Sequence, residues 1–288
     1  MELRISYLRE AWRKDTIYRV KSYCIALVCF IALDVTSAIA GACVEEREFR
    51  ASYDGSVERF CAIEPNCTNA TVDVLFALHG HGSDRRQFVD QERGECKAAR
   101  DVASERGMLY VSPDYRAKTS WMGPAAESDM LDLVMAFQKD HPGGRVFVCG
   151  GSMGGTGALT FTARHPGLIA GVTAFNPLAD HLSYTNFQDA IEASFGARKS
   201  DRPDLFRERS ALYRPEAFTM PVSITVGGKD ATVPPESARR LAALIAKDRP
   251  ELVYLDDCPT RGHETDYVAS RRALEEMFRR AERGRDLK

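Results

Sequence analysis

Apolar and polar positions change rhythm along this chain, and the change marks out its architecture. From residue 72 onward, predominantly apolar runs alternate with longer stretches in which apolar residues recur every three or four positions. The runs fall at 72–78, 108–112, 146–149, 171–175, 222–226 and 252–255. A segment that is apolar on both faces is what a parallel strand needs when helices cover it above and below. The intervening stretches at 91–106, 125–139, 155–164, 235–247 and 267–280 carry the spacing of amphipathic helices. Upstream, 48–53 and 56–63 are short strand-like runs around Asp54-Gly55, a hairpin turn signal. Together these predict an α/β fold: a mostly parallel sheet of about eight strands with helices on both faces. Segment 180–220 breaks the rhythm, with a helical piece at 185–195, and reads as a lid or rim excursion.

Before residue 43 the pattern differs again. Arg4, Arg9, Arg13, Lys14, Arg19 and Lys21 precede an apolar run at 24–33, and Ala38-Ile39-Ala40 and Ala40-Gly41-Ala42 offer small-residue cleavage sites. That is the layout of a secretory signal peptide. Residues 23–44 are also nearly long enough to span a bilayer, with Asp34 the interruption. Residues 1–42 therefore read as a signal peptide or an N-terminal anchor, followed by one domain at 43–288. The expected location is secreted or periplasmic, with a membrane tether through residues 23–44 as the alternative.

Composition narrows the chemistry. The chain has 288 residues, 44% of them hydrophobic, and a formal charge of −2. Its basic residues are scattered, so the electrostatic footprint of a nucleic-acid binder is missing. Of eight cysteines, Cys24 and Cys29 lie in the leader. The remaining six, of which Cys61 and Cys67 close the shortest loop, allow 15 pairings that sequence does not choose among. They lack the paired spacing of a zinc site, so no metal is expected.

The sharpest local feature is Cys149-Gly150-Gly151-Ser152-Met153-Gly154-Gly155, which places Ser152 between flanking glycines after an apolar run and before a helical stretch. A strand-turn-helix of that kind lifts a serine hydroxyl above the sheet edge at a helix N-terminus. A serine hydroxyl needs a base within hydrogen-bond reach, and the base needs an orienting carboxylate. Asp230, in Gly227-Gly228-Lys229-Asp230 after the run 222–226, fits the acid. It also fits a simple turn or cap residue, and Asp180 is a rival one strand earlier. His263 lies just after the last run and before the final helix, and alone among the histidines has the right order and setting for the base. His141 and His165 read as helix-end or surface residues. Leu78-His79-Gly80-His81-Gly82-Ser83 follows another buried run, so the backbone amides of His81 and Met153 are the expected oxyanion donors. His79 reads as a packing residue that holds this loop. Trp121 and His181 are the candidate substrate contacts, Trp121 being equally readable as a packing anchor.

The HGHG loop at 79–82, GGSMGG at 150–155, GGKDATVP at 227–234 and RGHE at 261–264 together resemble the α/β-hydrolase superfamily. Within it the likeness is to compact feruloyl and acetylxylan esterases, polyhydroxyalkanoate depolymerases and prolyl-oligopeptidase-like catalytic domains, and it covers residues 72–283. The resemblance implies a serine carboxylic-ester hydrolase working through an acyl-enzyme without a cofactor, on a small-molecule or polysaccharide-linked ester. Prolyl-oligopeptidase-type peptidases usually carry a propeller domain ahead of the hydrolase, whereas residues 43–78 are all that stand between leader and first motif. Ester hydrolysis is therefore the first expectation, hydrolysis of short peptides the second, and a non-catalytic binding protein on the same fold the third.

Overall fold

A computed structural model describes residues 43–65 and 71–286; the leader at 1–42 and Cys67 lie outside the described residues. The apolar runs become one eight-stranded sheet: β1 Val44–Arg50, β2 Val57–Ile63, β3 Val74–Leu78, β4 Leu109–Pro113, β5 Val146–Gly151, β6 Gly171–Phe175, β7 Val222–Gly227 and β8 Val253–Cys258. Their spatial order is β1-β2-β4-β3-β5-β6-β7-β8. β2 runs antiparallel to both β1 and β4, and every other neighbouring pair is parallel. The chain steps outward from β3 to β4, crosses back to β5 and then proceeds outward to β8. Strand order therefore reverses beside β3 and β5, and the carboxyl ends of these two strands border the crevice where open α/β sheets hold their ligands.

The described helices are α1 Gln87–Asp90, α2 Gly94–Glu105, α3 Pro124–Asp140, α4 Met153–Arg164, α5 Gln188–Phe195, α6 Pro203–Glu208, α7 Glu236–Asp248 and α8 Tyr267–Asp286. Alternation along the central strands feeds two cores. Val74, Phe76 and Leu78 of β3 and Val146 and Val148 of β5 pack with apolar residues of α3, α4 and α7. Leu75, Ala77, Phe147 and Cys149 point the other way, against α2 and α8. Covering both faces is why these strands read as continuous apolar runs.

Two boundaries differ from the sequence expectation. β1 begins at Val44 and ends at Arg50, pairing with β2 along its whole length, and residues 51–56 form the loop. The polar run Glu45-Glu46-Arg47-Glu48 hides this strand, because an edge strand need not be apolar on its outer face. β8 extends through Asp256 and Asp257 to Cys258 and is only half-buried, since it lies at the opposite edge. Its acidic side chains are met by Arg261 and Arg239.

The excursion at 180–220 is latched to the body of the domain. Tyr184 donates to the Thr232 carbonyl at 2.8 Å, and the Ser194 hydroxyl donates to the Ser120 carbonyl. Beneath it, the buried Glu127 carboxylate meets Arg164 at 2.6 Å, His165 at 2.7 Å and Arg209 at 3.0 Å, which joins α3, α4 and the segment after α6. Arg209 also donates to the Met122 carbonyl at 2.7 Å. Burial pulls the Arg209 guanidinium below its usual value, so desolvation outweighs pairing there. For Glu127 burial is the largest single influence and acts upward. Its hydrogen bonds to His165 and Arg164 and the charge of Arg209 together outweigh it, holding the carboxyl down at about 2. The carboxylate is thus the stabilising member of the cluster.

Because the folded value lies below the unfolded one, this contribution is complete above the ordinary carboxyl range and is lost as pH falls toward 2. Urea unfolding at a series of pH values should show Glu127→Gln less stable by about 3 kcal/mol at pH 7, with the difference shrinking as pH drops below about 4.5. A pH-independent difference would show that packing, and not ionisation, sets the effect.

Candidate active site

The turn from β5 into α4 is set by two glycines. A Cβ on Gly154 would lie 2.0 Å from the Leu78 carbonyl oxygen, and one on Gly150 would lie 2.5 Å from the Gly154 carbonyl carbon. Only hydrogen fits at either position, so the first turn of α4 rests directly on the end of β3. The chain accomplishes this by placing Ser152 at φ 56° and ψ −118°, a conformation that costs on the order of 1–3 kcal/mol for a residue with a side chain. The Ser152 amide donates to the Phe175 carbonyl at 2.8 Å, pinning the turn to β6.

The structure brings three residues from distant parts of the chain into one hydrogen-bonded series. His263 Nε2 lies 2.9 Å from Ser152 Oγ, and His263 Nδ1 lies 2.7 Å from Asp230 Oδ2. The Asp230 side chain is almost fully buried. Its other oxygen, Oδ1, accepts from the amides of Thr232 and Val233, both at 2.9 Å. Those two donors satisfy one oxygen and leave Oδ2 aimed at the imidazole. An ionised carboxylate here requires Nδ1 to carry a proton, which leaves Nε2 as the acceptor for the serine hydroxyl. Such an arrangement can take the proton of Ser152 as its oxygen attacks an electrophile. Asp180, the rival acid, is buried elsewhere and accepts from the Leu182 amide at 3.0 Å and the Tyr213 hydroxyl at 3.3 Å.

A residue that the sequence analysis passed over holds the imidazole in place. Asn176 Nδ2 donates to the His263 carbonyl and to Thr265 Oγ1, both at 2.9 Å, and its own amide donates to the Thr225 carbonyl at 2.9 Å. It stands just past β6 with φ 46°, at the same sheet edge as the other motifs. That position, next to Pro177, was the available signal.

The loop after β3 completes the site. The amides of His81 and Met153 donate to no protein acceptor among the described residues, which leaves both N–H groups for a ligand. His79 is buried, with Nδ1 2.9 Å from the Gly80 carbonyl and Nε2 3.1 Å from the Asp114 carbonyl, and it packs as the sequence suggested. A cavity of about 220 Å3 opens over Ser152 and His263. Phe175 and Phe187 form part of its wall, and Gln87, Arg93 and Glu95 another. These three polar residues come from the segment around α1 and the start of α2, which carries none of the recognisable motifs. A larger cleft, about 470 Å3, lies between α2 and α8 among charged side chains, away from these residues. Among the described residues no group of three or more His, Cys, Asp or Glu side chains is placed to hold a metal ion.

Neither Trp121 nor His181 is among the residues that line the cavity: Trp121 is the packing anchor of its alternative reading, and the expectation that His181 contacts substrate is not met. Trp121 is fully buried, with φ 43° turning it inward, and its Nε1 donates to His81 Nδ1 at 3.1 Å. His181 is buried edge-on to Trp121 and Phe195, and neither ring nitrogen has a protein partner among the described residues. The aromatic that the excursion contributes to the cavity is Phe187. The five cysteines described, Cys43, Cys61, Cys96, Cys149 and Cys258, are free thiols.

Residues 97–280 match the sequence profile of the prolyl oligopeptidase family. S-formylglutathione hydrolase from Agrobacterium tumefaciens superposes with a TM-score of 0.65 at 19% identity, covering 84% of this chain and 96% of that one. Acylaminoacyl peptidase from Pyrococcus horikoshii superposes with a TM-score of 0.60 at 14% identity, covering 81% of this chain and 40% of that one. At these identities the likeness establishes the α/β-hydrolase fold. Monoglyceride lipase from Homo sapiens is 44% identical over 62 residues, which amount to 21% of this chain and 20% of the lipase.

Replacing Asn176 with Ala removes the tether on the His263 loop without touching the three linked side chains. Labelling of Ser152 by a fluorophosphonate should slow on the order of tenfold, as expected when a supporting hydrogen bond around a reactive group is lost. An unchanged labelling rate in the folded variant would show that the loop needs no tether.

Proposed function

The chain belongs to the prolyl oligopeptidase family, a family of serine hydrolases, and on that premise we propose that it is a carboxylic-ester hydrolase with Ser152 as nucleophile, His263 as base and acid, and Asp230 as orienting carboxylate. The observation that carries the proposal is the continuous hydrogen-bonded series from Asp230 through His263 to Ser152. In the first half-reaction Ser152 Oγ attacks the ester carbonyl and its proton passes to His263 Nε2. The amides of His81 and Met153 receive the developing oxyanion, each donor typically worth about 3 kcal/mol. The carbon–oxygen bond to the alcohol then breaks, and His263 returns its proton to the departing oxygen. Water repeats the sequence on the acyl-enzyme and releases the acid. Asp230 stays ionised throughout and stabilises the imidazolium, its second oxygen being occupied by two amides.

The modest cavity, with Phe175 and Phe187 on its wall, suits a small acyl group. A second reading, hydrolysis of short peptides, draws on one specific feature. The buried Glu95 carboxylate lines the cavity and is paired at 3.0 Å with the exposed Arg93, so an aminoacyl ammonium would find a counter-charge there. Export by residues 1–42 belongs to the same proposal, and fractionation of cells for the shortened chain tests it.

Turnover of p-nitrophenyl acetate should fall on the order of 10⁶-fold in kcat for Ser152→Ala and on the order of 10⁴-fold for Asp230→Asn. Comparing p-nitrophenyl acetate with an aminoacyl p-nitroanilide separates the two readings: fast anilide turnover without ester preference would favour the peptidase.

A further inference from the structure

The segment between β4 and α3 is the most strained in the domain. Tyr115, Arg116, Trp121 and Met122 have φ of 33°, 88°, 43° and 54°, a region in which side chains cost on the order of 1–3 kcal/mol each. Strain of this size persists only where the surroundings over-determine it. Here Arg116 is fixed by Asp129 at 2.7 Å and Asp54 at 2.8 Å. From that anchorage the segment grips the HGHG loop at three points. The Tyr115 hydroxyl donates to the His79 carbonyl at 2.5 Å, the Gly82 amide donates to the Lys118 carbonyl at 2.7 Å, and Trp121 Nε1 donates to His81 Nδ1 at 3.1 Å.

The last of these bonds has a chemical consequence. An indole N–H is a donor only, so the nitrogen it meets must be bare. Burial holds the His81 imidazole below its ordinary value, so the ring is neutral near pH 7 and carries its single proton on Nε2. Nε2 has no protein partner among the described residues, and His81 lines the cavity above Ser152. The ring is clamped between Trp121 and Phe187, with centroids at 5.9 Å and 4.5 Å, which removes rotational freedom. His79, two residues earlier, has both nitrogens against backbone carbonyls and offers nothing to a ligand.

We propose that the His81 imidazole, held as its Nε2–H tautomer by Trp121, is an additional hydrogen-bond donor to the reacting acyl group, and that Trp121 is the positioning residue that fixes it. The proposal rests on the ester-hydrolase reading, because His81 lines the same cavity as Ser152 and His263 and its backbone amide is one of the two oxyanion donors in that reading. It also explains why the strained segment buries a tryptophan behind the site.

The tautomer is read directly by ¹⁵N NMR of the full chain labelled at histidine nitrogens, the His81 signals being those missing from His81→Phe. In the wild type Nε2 should be protonated and Nδ1 bare, and in Trp121→Phe the two tautomers should mix. With p-nitrophenyl acetate, His81→Phe keeps the backbone amide and an aromatic ring between Trp121 and Phe187 but should lose on the order of 10²-fold in kcat, with KM within about threefold. Trp121→Phe should lose about tenfold in kcat by the same reasoning. A wild-type ring protonated at Nδ1, or His81→Phe with kcat within about twofold of wild type while Ser152→Ala is inactive, would overturn the proposal. Ser152→Ala as active as the wild type would instead overturn the hydrolase reading beneath it. Should Trp121→Phe not fold, the wild-type spectrum and His81→Phe decide alone.

Discussion

The close seat of helix α4 on the end of β3 is the constraint from which the rest of the site follows. With Gly154 against the Leu78 carbonyl and Gly150 against the helix itself, no side chain fits between strand and helix. The chain can turn there only by forcing Ser152 into a positive φ. That turn lifts the hydroxyl out of the sheet edge and leaves the Met153 amide without an internal acceptor. The same contact brings the HGHG loop, which continues from Leu78, within reach of the Ser152 turn. Strain, exposure of the hydroxyl and the pair of open amides are therefore one feature of packing.

Charge is distributed around this seat according to what burial permits. Asp230 is buried and fully occupied, two amides on one oxygen and the imidazole on the other, so it has no reason to move. His263 remains partly exposed at the cavity, and its loop is tied back through Asn176 and Thr265. Further out, Glu127 holds three basic side chains and so fixes the excursion that supplies Phe187. Tyr184 and Asn186 tie the same excursion to the loop that follows Asp230. The wall of the cavity and Asp230 are thus mechanically joined.

Much of this was legible before any coordinates, for a physical reason. Strands covered on both faces must be largely apolar and free of charge, so β3, β5, β6 and β7 announce themselves. Residues at their carboxyl ends share an edge whatever their separation in sequence, which is how Ser152, Asp230 and His263 could be drawn together. The edge strands were less legible: β1 carries three glutamates and β8 two aspartates, because one flank faces solvent. Trp121 stays open in the sequence between substrate contact and packing anchor, because sequence carries no signal for a run of positive φ values at non-glycine residues. Asn176, Arg93 and Glu95 escaped notice for a different reason. Their roles arise from where loops meet: Asn176 offers only its place beside Pro177 at a strand end, and the Arg93-x-Glu95 pair has no pattern of its own.

The most direct test of the central claim is to find where the acyl group goes. Rapid quenching of the full chain with a p-nitrophenyl ester, followed by peptide mass mapping, should place one acyl group on the peptide containing Ser152, on its hydroxyl. Turnover with the acyl group on any other residue, or with no covalent adduct at any time, would contradict the account.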